Sequence, residues 1–285
     1  MSIHAAQLRN EITCCAQEFA QRNGLAFRRS HHEFGSLVFS PSADGTRHGN
    51  FHPASYRAIL RRRIWLKRFG KVLTVPERLK QVEDDRRLSE LDSCCSSDAL
   101  LMNIFCHPGV RSSAAVLGLL GLNESAVPIF GWRARVPLGE DKFDRTEIDM
   151  KFGALLVESK LTEASFESCA IDSMRRYPSF AEIFRLADLP RFRRQYQCYQ
   201  LLRNVLAANA HNASFCLITD ARRTDLIEAW FRVIAAIRPL DLRMRSKLLT
   251  WQELTPTLPR SLRDFVEQKY GISTDVAASG TAMGY

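Results

Sequence analysis

The chain has 285 residues, 46% hydrophobic and 25% charged, with a net charge of +9. That is an ordinary globular composition, with room for one large domain or a domain and an elaboration. It excludes three classes: no run approaches the roughly 20 apolar residues of a membrane span, the polar N-terminus is no signal peptide, and eight cysteines without a CxxC suit neither a zinc site nor a secreted disulfide framework.

The cysteines therefore read as thiols in a reducing cytoplasm. The charge is polarised. Residues 1–80 hold 14 Lys/Arg against 5 Asp/Glu, and the remainder is neutral. The excess peaks at Arg61, Arg62, Arg63, Lys67, Arg68 and Lys71. Cations neutralising phosphates give sequence-independent affinity for nucleic acid; a solvated helix face or an acidic partner is the alternative.

In chain order, residues 1–25 read as an amphipathic helix and 35–53 as a Gly, Ser, Pro, His and Asp-rich loop. Residues 54–72 read as a basic helix with Tyr56, Leu60 and Ile64 on its apolar face. Pro76 opens a further helical stretch to about residue 91. Ser96, Ser97 and Asp98 cap a helix through ALLMNIF that stops before Pro108. Residues 129–137 alternate like a strand. RTEIDMKF (145–152) and ALLVESKL (154–161) read as two strands of a hairpin divided by Gly153. Residues 189–209 read as one long helix, 214–219 as a buried strand, 223–237 as a helix, 247–251 as a strand and 259–269 as a helix. The tail 274–285 reads as disordered. This order implies an α/β fold around a mixed sheet, with a basic, mainly helical region over 1–85 and a core over 86–273.

Strand side chains alternate between faces. The hairpin therefore sets Glu147, Asp149 and Lys151 on one face of its first strand, and Glu158 and Lys160 together on its second. Two carboxylates beside a lysine suit Mg²⁺, which takes carboxylates, waters and substrate phosphate; the ion polarises a phosphoryl oxygen and activates water. Four [DE]xK triplets occur, at Glu140–Lys142, Asp149–Lys151, Glu158–Lys160 and Glu267–Lys269. The first lies in a polar loop and the last in a predicted helix. The second lacks an acid one strand earlier. Only Glu158–Lys160 ends an apolar strand with an acid, Asp149, one hairpin before it. His31, His32 and His107 lack partners at metal spacing, and Ser159 has no nearby histidine to make it a nucleophile.

An acid followed by (D/E)xK on the next strand resembles the PD-(D/E)xK nuclease superfamily. Gln195 and Tyr199 are similar to the QxxxY helix of its RecB-like branches. Ser96, Ser97, Ala99, Asn103 and Phe105 resemble a helix of bacterial restriction endonucleases of this fold, with Asp98 standing where those carry Gln. The resemblance covers about residues 90–255. It implies a restriction-endonuclease-like core, a mixed sheet flanked by helices, and Mg²⁺- or Mn²⁺-assisted hydrolysis of DNA. Asp149 and Glu158 would bind the metal, with the Ser159 carbonyl and Glu147 as further ligands. Lys160 would be the catalytic lysine, and Gln195 would position water or phosphate. From charge, not from the resemblance, Arg61, Arg62, Arg63, Lys67, Arg68 and Arg194 are expected to grip the nucleic acid. The same features fit a non-cleaving nucleic-acid-binding module, or an interaction subunit of a defence or mobile-element complex. RNA stays open as a substrate, as does a homodimer or a larger assembly.

Overall fold

A computed structural model of the chain describes residues 3–30, 35–71, 89–139 and 141–273. The tail 274–285, His31, His32, Glu140 and most of the helix expected from Pro76 lie outside these residues; of that helix only Glu90–Asp92, a short 3-10 turn, is described. The chain forms two compact units. One holds Ile3–Ser125 and the segment from Trp251 onward, the other Ala126–Thr250. The units thus divide the chain differently from a boundary near residue 85.

The first unit opens with helix α1 (Ile3–Arg22), whose Ala5, Leu8, Ile12, Ala16 and Ala20 recur every three to four residues and form its buried stripe. A short hairpin follows, β1 (Phe27–Arg29) against β2 (Leu37–Phe39). The expected loop at 35–53 thus contains a fully buried strand. Helix α2 (Pro53–Leu60) begins at a proline that fits the first turn, with His52 Nδ1 accepting from Ala54 N as N-cap. It ends where Arg62 turns extended (φ −125°, ψ 105°), before α3 (Arg63–Leu66). This break overturns the single helix expected over 54–72. It leaves Leu60 38% and Ile64 52% exposed, and buries Ile59 and Trp65 instead.

Helix α4 (Ser97–Phe105) is buried along its whole length, and Ser96 Oγ caps it by accepting from Ala99 N at 3.1 Å. Asn103 is a polar hub within it. Its side chain accepts from His52 N (2.7 Å) and donates to the carbonyls of Asn50 (3.0 Å) and Ala99 (2.9 Å). Every atom of this buried amide has a partner, as burial demands. Asp98, where the resembling endonucleases carry Gln, takes Arg68 at 2.6 Å and Lys71 at 3.0 Å. Burial would raise its pKa, but the two cations hold it below the usual carboxylate range. Arg68 is consequently buried in an ion pair and does not face a phosphate, a correction to its expected role. Helix α5 (Ala114–Leu120) closes this stretch, capped by Ser113 and ended by Gly121 at φ 66°.

The second unit is built on the sheet. Strand β3 (Ile129–Arg133) precedes a turn at Arg135, then β4 (Val136–Pro137) pairs with β5 (Phe143–Asp144). Strands β6 (Glu147–Phe152) and β7 (Leu155–Ser159) form the expected hairpin, with Gly153 at φ 60° in its two-residue loop. Next come β8 (Ser168–Ala170), α6 (Ile171–Arg175), α7 (Phe180–Ile183), β9 (Arg191–Phe192), β10 (Gln195–Gln197) and α8 (Tyr199–Ala210). Strand β11 (Ser214–Thr219), α9 (Thr224–Ala236), α10 (Leu240–Met244) and β12 (Ser246–Thr250) complete the unit. Among the described residues the central sheet has five strands, ordered β12-β11-β7-β6-β3. The pairs β3–β6 and β6–β7 are antiparallel; β7–β11 and β11–β12 are parallel. Parallel neighbours need long crossovers, and α8 and α9 lie in these. Their Leu202, Val205, Leu206, Trp230 and Val233 are buried with Leu156, Phe215 and Leu217 of the sheet in one core.

The helix expected over 189–209 is corrected here. Its first half is the β9–β10 hairpin, held to β8 in a separate three-stranded sheet. After β12 the chain returns to the first unit through α11 (Trp251–Leu254) and α12 (Arg260–Tyr270), whose Phe265 meets Phe19 of α1 edge-on at 5.4 Å.

Candidate functional site

Alternation along β6 buries Ile148, Met150 and Phe152 and leaves Glu147, Asp149 and Lys151 half-buried on the other face. Strand β7 lies between two neighbours, so all its residues are buried, Glu158 included. Asp149 and Glu158 follow the Met150–Val157 pair in register and therefore share a face of the hairpin. Asp149 Oδ2 accepts from the Ser159 backbone N at 2.8 Å and from Ser159 Oγ at 3.0 Å, which locks its carboxylate against the end of β7.

Lys160 follows the strand, its backbone N donating to Ile218 O of β11 at 2.9 Å. Its ammonium is 2.8 Å from Glu158 Oε1, and both side chains are less than a tenth exposed. Burial alone would lower the lysine's pKa. Glu158, Glu163 and Asp149 together overturn that and hold it above its ordinary value, so Lys160 remains an ammonium.

The other oxygen of Glu158 is held from α8. Asn204, fully buried, donates Nδ2 to Glu158 Oε2 at 2.7 Å. Arg203 beside it donates from Nη2 to the Glu147 carbonyl (3.0 Å) and to Asn204 Oδ1 (3.1 Å). The chain of contacts runs Lys160, Glu158, Asn204, Arg203 and the β6 backbone, so α8 sets the orientation of the buried acid. Removing the amide would strand a buried carboxylate oxygen. Asn204→Ala is therefore expected to cost about 1–3 kcal/mol, and Asn204→Asp more, because it faces one buried carboxylate with another; urea midpoints at unchanged m-value measure both. Two further polar atoms line this neighbourhood. Gln200, one turn before Asn204 on the same face of α8, has a buried Oε1 without a hydrogen-bond partner among the described residues, and so has the Thr219 hydroxyl, next to Ile218.

Arg223 braces the segment after Lys160. It is fully buried, donates to the carbonyls of Leu161 (3.0 Å) and Glu163 (2.7 Å), and grips both carboxylate oxygens of Asp225 (2.9 and 3.0 Å).

The structure thus brings Asp149, Glu158, Ser159 and Lys160 together. Glu147 shares their face but sits across from Arg133, 3.7 Å away. Gln195 is not on α8. It is exposed on β10 and accepts from Ser168 Oγ at 3.1 Å. Arg194 is exposed at the β9–β10 turn, and Arg61, Arg62, Arg63 and Lys67 are exposed on the first unit. Sequence reasoning missed Asn204 and Gln200, and read Arg203 as a residue that could track phosphates, where it instead braces Glu147 and Asn204. Their signal was present: an Arg-Asn pair inside the apolar run LLRNVLAA needs partners when that run is buried.

No group of three His, Cys, Asp or Glu able to enclose a metal occurs among the described residues. Two carboxylates at the end of a strand pair are nevertheless what Mg²⁺ takes from protein when waters and substrate phosphate supply its other ligands. The donor set fits an open, substrate-completed magnesium site and does not fit a closed structural or zinc site. No helix of the described residues is long and apolar enough to cross a membrane.

The family model described as Restriction Endonuclease associating with ARP matches residues 16–271. The mixed sheet with its flanking helices is the restriction-endonuclease-like core that the sequence pointed to. The comparison with curated proteins gives no match, and neither does that with solved structures.

Proposed function

The chain belongs to the family of restriction endonucleases associating with ARP, and from that premise we propose that it hydrolyses phosphodiester bonds in DNA with a divalent metal. One observation carries the reading: the half-buried Asp149 beside the buried pair Glu158 and Lys160 at the end of the β6–β7 hairpin, oriented from outside by Ser159 and Asn204.

Asp149 and Glu158 would hold Mg²⁺ or Mn²⁺, with the Ser159 carbonyl as a further ligand. When bound, the ion neutralises phosphate charge and lowers the pKa of a water. The remaining work falls to the chain itself. Lys160 keeps its proton and donates toward the phosphoryl oxygen on which charge builds as the water oxygen bonds to phosphorus and the ester P–O bond breaks. Asn204 and Ser159 hold the two carboxylates in place, so little reorganisation accompanies the reaction. The basic N-terminal region, with its excess of Lys and Arg over residues 1–80, supplies backbone affinity that does not depend on sequence. The family's description names association with ARP, and on that ground the nuclease works beside a partner protein.

The test is cleavage of supercoiled plasmid and of end-labelled linear duplex with Mg²⁺, with Mn²⁺ or with EDTA. Nicked, linear or shortened products in metal alone support the reading. Intact substrate under all metal conditions, from folded protein, overturns it for the chain acting alone and directs the same assay to the complex with its partner.

A further inference from the structure

Two clefts flank helix α2 on the first unit. One, about 520 Å³, is walled by Arg57, Arg61, Arg62 and Arg111 with Ala54 and Pro108; the other, about 410 Å³, shares Arg57 and Arg61 and adds Arg47. Neither wall contains an Asp or Glu. Arg57 and Arg61 are four residues apart and project from one face of the helix. Arg62 and Arg111 rest on the buried Trp65 ring, their guanidinium carbons 4.9 and 5.5 Å from its centre. Stacking of this kind fixes two planar forks before any ligand arrives, which reduces the entropy lost on binding.

The contrast with neighbouring cations is informative. Arg68 and Lys71 are consumed by Asp98 and Glu90. Arg57, Arg61, Arg62 and Arg111 have no carboxylate partner among the described residues, and the Nε of Arg111 is buried without an acceptor. Guanidinium forks match phosphate oxygens two at a time.

We propose that these adjoining clefts seat the DNA backbone, with Arg57 and Arg61 between them contacting successive phosphates and the Trp65-stacked pair, Arg62 and Arg111, clamping one. The inference rests on the nuclease reading for the identity of the polyanion. It assigns two residues, Arg57 and Arg111, that the sequence did not single out, and it removes Arg68 from the grip.

The experiment is fluorescence anisotropy of a labelled 30-base-pair duplex in EDTA across a salt series. Wild type is compared with Arg57→Ala/Arg61→Ala, with Arg111→Ala and with the exposed control Arg260→Ala. The double variant is expected to bind at least about tenfold more weakly, with the slope of log K against log salt flattened by about 2; Arg111→Ala should flatten it by about 1, and Arg260→Ala should change neither. Unchanged affinity and slope in the folded double variant would overturn the proposal. So would failure of wild type to bind duplex at low salt, the outcome expected if an acidic protein fills the clefts. Preferential displacement by an RNA duplex of equal length would remove DNA as the occupant. Duplex held through these arginines but never cut in Mg²⁺ would leave this proposal standing and remove the nuclease reading for the chain acting alone. Normal cutting and binding by the double variant would do the reverse.

Discussion

Lys160→Ala is expected to slow DNA cleavage on the order of 10²–10³-fold, the cost of deleting one preorganised donor to a developing oxyanion, while duplex affinity in EDTA stays within about twofold of wild type. The reason lies in the environment of the ammonium. It is almost fully buried, held by Glu158 at 2.8 Å, and kept protonated by three surrounding carboxylates. Its loss removes a charge from where low-dielectric surroundings make it most effective. It also leaves Glu158 held by Asn204 without its ammonium partner, so stability falls too. Lys160→Met, which keeps the stem's volume, separates the two effects. Single-turnover rates with a near-UV circular dichroism check are the measurement. A folded Lys160→Met that cuts within threefold of wild type would remove the lysine from the chemistry.

Arg223→Ala should have the largest effect on stability, about 3 kcal/mol or more, because it removes the bidentate partner of Asp225 and the buried donor to the Leu161 and Glu163 carbonyls at one stroke. Arg223→Lys should recover little, since a single ammonium point cannot reproduce a fork that reaches Asp225, Leu161 and Glu163 together. The urea midpoint should drop at constant m-value. The cleavage rate should drop as well, because the segment following Lys160 hangs on this residue. A midpoint within error of wild type would show that water replaces the guanidinium, and would remove Arg223 as the brace of the site.

The hairpin was legible in the sequence for a physical reason. A half-buried strand must alternate, RTEIDMKF does so, and Gly153 marks the one position that needs a positive φ. That register alone put Asp149 beside Glu158. The helix over 189–209 misled because Pro190 fits a first helical turn and nothing in the RFRRQYQCY that follows breaks a helix. The chain turns at Arg193 (φ 53°) and Cys198 (φ 61°), non-glycine residues in the left-handed region, and pairing with the distant Ser168–Ala170 outweighs local helix propensity. Moving the helix start to Tyr199 shifts the inward polar positions from Gln195 to Gln200 and Asn204. The break at Arg62 was hidden in the same way, since a run of arginines favours helix, and only burial of Trp65 explains the turn. Counting charge located the basic excess over residues 1–80, yet could not show that Arg68 is spent on Asp98. Ion pairing between residues 30 positions apart leaves no local trace.

The most direct test of the central claim is a Mg²⁺ titration of plasmid cleavage by wild type and Asp149→Asn, each shown to be folded. Asparagine keeps the size of the side chain and can still accept from Ser159, but it lacks the charge that would hold the ion. The account predicts a rate that saturates with Mg²⁺ for wild type and no cleavage above background for the variant at any concentration. Equal rates in the two proteins would contradict it, and would place the chemistry of this chain away from the β6–β7 hairpin.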